Sequence, residues 1–336
     1  MNRSAVLLAL ALVGCAESPA ATSIAPIDTT EPSSGLPTVT ASAEPLDLEG
    51  RILIELDGLY SANANGTDRQ LVYEPGEYCC INRISPDRTR ILVMPGSDET
   101  GAVRGGTLSL DGSEFELLPR PDKTLNLVPS AWSPDGTRIA FEGWDDSDPS
   151  RNGIYSALAS DLSDLVRITN RPGLPHDSPL DYSPDGTQLV FFRAVRAEPD
   201  FPIDLGGSLW VVDVDGTDAH ELQTGDVRPS WNARWAPDGS RIVFVEERLR
   251  ATGGIWTIRP DGTELTTVFE DPDGRFARAP VWSPDGSRIM FSLHPTSDNF
   301  QHDANEIYVI NADGSGLALL IGGPEYKYVS EWWSEP

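Results

Sequence analysis

One eleven-residue phrase recurs along the chain and limits the folds open to it. It reads AWSPDGTRIAF at 131–141, DYSPDGTQLVF at 181–191, RWAPDGSRIVF at 234–244 and VWSPDGSRIMF at 281–291, with a weaker copy, RISPDRTRILV, at 83–93. The Ser-Pro-Asp-Gly centre is turn chemistry. Proline presets φ near about −65°, aspartate accepts local backbone hydrogen bonds, and glycine takes the left-handed conformation that other residues avoid. The expected unit is a hairpin with a three-residue loop, a type I turn closed by a glycine bulge. Its second strand, such as Arg288-Ile289-Met290-Phe291, is expected to alternate polar and apolar.

A second phrase follows each copy of the first. It reads SLWVVDVDGTDAHEL at 208–222, GIWTIRPDGTELTTV at 254–268 and EIYVINADGSGLALL at 306–320. Shorter or degraded versions stand at 58–72, 107–118 and 153–168. Most turn at Asp-Gly or Asn-Gly, so each reads as another hairpin. Every unit then holds four short strands, A to D. The repeat aspartates Asp87, Asp135, Asp185, Asp238 and Asp285 recur about every 50 residues, a spacing that suits propeller blades. Six C–D hairpins are present but only five complete A–B hairpins. The missing parts lie at opposite ends. Arg51 to Leu56 reads as a B strand with no A before it, and Tyr328 to Trp333 as an A strand with no B after it. Joined, they complete a sixth blade. The expected fold is all-β, a six-bladed β-propeller of four-stranded antiparallel blades closed by both termini.

The paired WSPDGxxIxF and IYVxxxDG phrases resemble the propeller repeats of TolB-like proteins, also called WD40-like or Pro-Asp repeats. The resemblance covers about residues 50–336. It implies an envelope scaffold that binds other molecules rather than an enzyme. In TolB an α/β domain precedes the propeller, whereas here a tether stands in that place, so a Tol–Pal role is not implied. Trp132, Trp235, Trp282 and Tyr182 are expected to wedge between blades, and the repeat aspartates to form turns.

Residues 1–15, MNRSAVLLALALVGC, hold one arginine and a short apolar run, the pattern of a secretory signal too short to span a bilayer. Leu12-Val13-Gly14-Cys15 resembles a bacterial lipobox, which implies a signal peptide at 1–14 and a lipidated Cys15. Residues 15–49, rich in Ala, Ser, Thr and Pro, cannot bury enough surface to offset their ordering entropy and read as a tether. The domain reading is therefore signal, tether and propeller from residue 50. The location expected is the cell envelope, lipid-anchored and extracytoplasmic.

Formal net charge is −27, which argues against a nucleic-acid partner. No CxxC, HExxH, GxSxG or Walker-type loop occurs. The A–B and C–D turns should share one face, and the variable D–A and B–C loops the other. Loops that vary on a repeating scaffold are where a binding surface is expected. The D–A segments at that channel mouth supply the candidate ligand-binding rim: Tyr78, Cys79, Cys80, His176, Asp177, Arg228, Trp231, Arg234, Arg275, Arg278, Tyr326 and Lys327. Arginines among aromatic groups suit a carboxylate-bearing or peptide ligand. Cys79 and Cys80 are open to three readings: a vicinal disulfide, free thiols, or a bridge to another chain. The partner expected is an envelope protein, peptide or glycan, and the protein is expected to be a monomer.

The alternative is a metal-dependent propeller hydrolase acting on a lactone or phosphoester, with Asn82, Asn126, Asp177, Asp181 and Asn232 as channel-side candidates. No cofactor is expected. Calcium is a minor candidate at Asp145, Asp146 and Asp148, whose oxygen ligands lack EF-hand spacing.

Overall fold

The computed structural model describes residues 47–56, 58–74, 79–94, 105–171, 177–194, 206–246, 253–295, 305–324 and 327–335. The strands run β1 (Arg51–Glu55), β2 (Leu59–Asn63), β3 (Gln70–Tyr73), β4 (Cys79–Ile84), β5 (Arg90–Met94), β6 (Gly106–Ser109) and β7 (Phe115–Leu117). They continue as β8 (Asn126–Trp132), β9 (Arg138–Trp144), β10 (Gly153–Leu158), β11 (Val166–Arg167), β12 (Asp177–Tyr182), β13 (Gln188–Ala194), β14 (Gly207–Asp213) and β15 (His220–Glu221). The last are β16 (Pro229–Trp235), β17 (Ile242–Glu246), β18 (Ile255–Ile258), β19 (Thr266–Phe269), β20 (Phe276–Trp282), β21 (Arg288–His294), β22 (Glu306–Asn311), β23 (Ala318–Ile321) and β24 (Tyr328–Trp333).

They form six four-stranded antiparallel sheets. Blade 1 is β24-β1-β2-β3, joining the two ends of the chain, and blades 2 to 6 follow as consecutive groups of four. In blade 1, Ile52 pairs with Trp332 and Leu53 with Glu331. Gly50, at φ 92°, lies where this joint is tightest. A Cβ there would stand 2.1 Å from the Trp333 carbonyl oxygen, so only glycine fits. The six-bladed, terminus-closed ring expected from the repeats is the observed fold.

Six apolar clusters hold the ring, one at each blade interface, including the closing interface between blades 6 and 1. Each blade is thus covered on both faces. This corrects the expected alternation in the B strands. Ile289, Met290 and Phe291 are all fully buried, as are Ile52, Leu53 and Ile54. Successive side chains point to opposite faces, and both faces are core.

The turns differ from expectation in one detail. The C–D turns are three-residue hairpins, as in the Asn63 N–H to Thr67 carbonyl bond of 2.8 Å. The A–B loops are one residue longer: Ser283 N–H donates to the Arg288 carbonyl (2.8 Å) and the Gly286 N–H to the Ser283 carbonyl (2.8 Å). The serine side chain makes the extra residue workable. Its Oγ donates to Asp285 Oδ1 (2.6 Å) and accepts the Arg288 N–H (2.9 Å). The same bonds join Ser85 to Asp87, Ser133 to Asp135 and Ser183 to Asp185. These hydroxyl donors hold the four aspartate carboxyls below their ordinary range. The aspartates are turn formers, as read from sequence. Where the phrase reads SPDR, Arg88 takes the glycine position at φ 62°.

Candidate functional site

The A strands, β4, β8, β12, β16, β20 and β24, are the inner strands and line the channel. In every A–B pair the register slips just before the end of the A strand, because the A strand carries at least one extra residue. Bulges re-aim the side chains that follow them. The position after the slip and before the wedge residue is Glu331, Arg83, Ala131, Asp181, Arg234 and Val281 around the ring. The two acids therefore stand opposite each other, as do the two arginines, with Ala131 opposite Val281.

The four charges form one network. Arg83 Nη2 lies 2.7 Å from Asp181 Oδ1, and its Nε 3.4 Å from Glu331 Oε1. Arg234 Nη1 lies 3.2 Å from the same Glu331 oxygen. Arg83 also donates to the Leu180 carbonyl (3.0 Å), Arg234 to the Ser330 carbonyl (2.9 Å), and the Trp235 main-chain N–H to Asp181 Oδ2 (3.0 Å). Blades 1, 2, 4 and 5 are joined across the channel. Burial pushes the Asp181 carboxyl up to about 6, with the Arg83 charge pulling the other way. Burial likewise raises Glu331 against Arg83. Above this floor, on the A–B turn side, is a recess of about 210 Å³ bounded by Trp132, Trp235, Trp282 and Trp332 and by turn residues such as Pro86 and Pro284.

The wedge reading of the aromatic residues holds. Trp132 Nε1 donates to the Arg83 carbonyl of the preceding blade (3.2 Å), Trp282 Nε1 to that of Arg234 (3.3 Å), and the Tyr182 hydroxyl meets Ser156 Oγ (3.2 Å).

Toward the variable face, the Tyr328 hydroxyl donates to Asn232 (3.0 Å), and burial, opposed by the Arg278 charge, pushes this phenol up to about 12. Arg278 lies over the Phe276 ring at 5.3 Å. Arg228 is exposed and makes no ion pair among the described residues. The structure brings Arg278 near this cluster but gives the other rim residues separate settings. Arg275 is held by Asp271 (2.9 Å) and Glu306 (3.6 Å). Arg234 belongs to the channel network. Lys327 is fully buried, its ammonium donating to the carbonyls of Asn305 (3.1 Å) and Gly323 (2.9 Å). Asp177 is fully buried and clasped by Arg193 at 2.8 and 2.7 Å, with Arg171 at 3.4 Å. Cys79, Cys80 and Trp231 lie on β4 and β16, with side chains outside the described residues. Tyr78, His176, Tyr326 and the lipidation candidate Cys15 also lie outside them.

The acidic loop after β9 is organised by its own donors. Burial works against the charge on Asp145, but bonds from Ser147, Thr124 and the Asp148 N–H outweigh it and hold the carboxyl below the usual range. Arg151 pairs with Asp145 at 2.7 Å. No group of three or more potential metal ligands gathers among the described residues.

Sequence reading missed Arg83 and Glu331. The signal was present in the five aligned copies, where the residue before the wedge position varies while the turn residues that follow it recur.

No protein-family model matches the chain, and no curated protein does. Solved structures do. TolB from Acinetobacter baumannii is 19% identical with a TM-score of 0.64, covering 88% of this chain and 69% of that one. A putative TolB from Agrobacterium tumefaciens is 20% identical with a TM-score of 0.61, covering 86% of this chain and all of that one. An oligogalacturonate lyase in complex with manganese is 15% identical with a TM-score of 0.53, covering 77% and 69%. The chain shares the TolB propeller fold.

Proposed function

We propose that the chain is a non-catalytic, membrane-tethered, extracytoplasmic propeller that binds a protein, peptide or glycan partner at its variable loop face. The contrast between the two mouths carries this reading. The turn mouth repeats one hydrogen-bond pattern from blade to blade. The segments leading into the A strands share no pattern; Arg228 stands exposed just before β16, and Arg278 lies over Phe276 at the start of β20, beside Tyr328 at the start of β24. Large aromatic and arginine side chains are the groups that most often anchor partners. The resemblance to envelope scaffolds and the signal, lipobox-like cysteine and tether of residues 1–49 support the location.

The metal-dependent reading has less behind it. Its two carboxylate candidates are already engaged, Asp181 by Arg83 and Asp177 by Arg193. A metal would have to displace a close guanidinium from each.

The test is cross-linked capture from envelope fractions with the wild type, the Arg228→Glu/Arg278→Glu variant, and an Asp261→Lys control on the turn face. The rim variant is expected to lose the bands that wild type and control share. Unchanged capture by the rim variant would remove the variable face from the account.

A further inference from the structure

The variable-face half of the channel holds two charges that lie outside the four-membered network. Glu55 ends β1 and is paired in register with Tyr328 of β24. Arg278 stands four residues before the wedge Trp282, as Tyr328 stands four before Trp332, so the two share one level on neighbouring blades. Tyr328 thus lies between a carboxylate and a guanidinium, and its phenol feels both charges. All three side chains are half-buried. Their partners set Glu55 and Arg278 apart from the other channel charges. Arg83, Asp181, Arg234 and Glu331 pair among themselves. Glu142, which faces Val128 as Glu55 faces Tyr328, takes the Ser178 hydroxyl at 2.6 Å. Glu55 has only the Asn82 amide, at 3.5 Å, and that amide is tied from its other end by the Tyr73 hydroxyl (3.1 Å). Arg278 has only the face of Phe276. Neither makes an ion pair among the described residues. A charge drawn out of water without a counter-charge is costly, and burial accordingly pushes the Glu55 carboxyl up.

We propose that this end of the channel binds a small zwitterion, a free α-amino acid or a dipeptide, with its ammonium at Glu55 and its carboxylate at Arg278. The inference rests on the reading that the variable face is the binding face, and it names the chemistry of a ligand there. The two unpaired charges decide that chemistry. A lone cation would satisfy Glu55 and leave Arg278 with a second positive charge nearby. A lone anion would satisfy Arg278 and meet Glu55. A neutral molecule would take water from both and pair neither. A molecule carrying both charges gives each its partner, and a guanidinium binds a carboxylate through two parallel donors. The residues between them are oriented for the same ligand. The Tyr328 hydroxyl gives its proton to Asn232 Oδ1 at 3.0 Å. Its oxygen is then an acceptor for an ammonium, and the Asn232 amide nitrogen a donor to a carboxylate.

The test is isothermal titration and saturation-transfer NMR of the full chain. The probes are L-alanine, L-leucine, L-phenylalanine, dialanine and leucyl-alanine, each with its N-acetyl form, which lacks the ammonium, and its amide, which lacks the carboxylate. At least one zwitterion is expected to bind in the millimolar range or tighter, and at least about tenfold better than either blocked form, which is about 1.4 kcal/mol. Comparing amino acids with dipeptides tells which of the two the site takes. Glu55→Gln should weaken the zwitterion by about tenfold and leave its N-acetyl form unchanged. Arg278→Gln should weaken the zwitterion likewise and leave its amide unchanged. Glu55→Gln, which keeps the shape and removes the charge, should not lower the melting temperature; a lower one would show that the carboxylate already has its partner and would overturn the proposal. So would no binding by any zwitterion, equal binding of the blocked forms, or full affinity in both variants. Loss of envelope capture by the Arg228→Glu/Arg278→Glu variant with no zwitterion bound would overturn this inference and leave the proposed function in place. Zwitterion binding beside unchanged capture would do the reverse.

Discussion

Glu331 is the residue whose loss should be felt most across the channel. It lies on the closing strand β24, and one of its oxygens serves both arginines, at 3.4 Å from Arg83 and 3.2 Å from Arg234. Glu331→Ala leaves the two cations unequally placed. Arg83 keeps Asp181 at 2.7 Å and the Leu180 carbonyl, whereas Arg234 keeps only the Ser330 carbonyl at 2.9 Å. Breaking a fully buried pair by removing one partner costs about 3–5 kcal/mol. The four side chains here are 10–21% exposed beneath an open recess, so screening lowers the expected loss to about 2–3 kcal/mol. In a domain of this size that corresponds to a melting temperature lower by about 4–10 °C. Urea titration at pH 7.5, with fluorescence and circular dichroism as separate probes, measures the loss. A second arm uses Arg234→Met with and without Glu331→Gln. The double variant should recover part of the loss of the single variant, because it removes a buried carboxylate left with only its 3.4 Å contact to Arg83. Glu331→Ala within about 0.5 kcal/mol of wild type would show that these are solvated rim charges and would refute the reasoning.

Other outcomes follow from the same geometry. Gly50→Ala should destabilise by more than about 3 kcal/mol, because the new Cβ meets the Trp333 carbonyl oxygen at the ring joint; thermal melting checks it. Gly286→Ala, with its Cβ 3.6 Å from Pro237 and only φ 71° against it, should cost about 1 kcal/mol. Arg88→Gly should instead stabilise by up to about 1 kcal/mol, since a non-glycine residue now holds φ 62°; a net loss would mean that its 3.0 Å bond to Ser334 outweighs the backbone term. The folded Asp181 carboxyl sits near 6, above its unfolded range, so its contribution to stability is full below about pH 4 and is lost as pH rises through about 6. The stability difference between wild type and Asp181→Asn should accordingly shift against wild type by on the order of 2 kcal/mol between pH 4 and 7. A difference that moves the other way would contradict it.

The ring was legible because its information is local and repeated. Ser-Pro-Asp-Gly and Asp-Gly specify turns wherever they stand, and the orphan strands at 51–56 and 328–333 imply their own pairing. The channel network was not legible, because no single repeat contains it. Arg83 meets Asp181 from 98 residues away, and the meeting depends on a bulge in each A strand. Asp181 and Arg234 were therefore read as members of separate candidate sites, although they share one network. Lys327 shows the other limit. Its position between aromatic residues suited a rim cation, but the chain folds Asn305 and Gly323 around its ammonium, contacts with no local signature. The buried B strands were mistaken for alternating ones because a blade has core on both faces.

The most direct measurement is metal content and native mass of the chain from residue 45, purified without chelator, with its stability followed before and after EDTA. The account expects a metal-free monomer whose unfolding EDTA does not change, because the channel carboxylates are held by Arg83, Arg193 and Arg234. One tightly held ion per chain, lost with EDTA together with stability, would contradict the binding-propeller account.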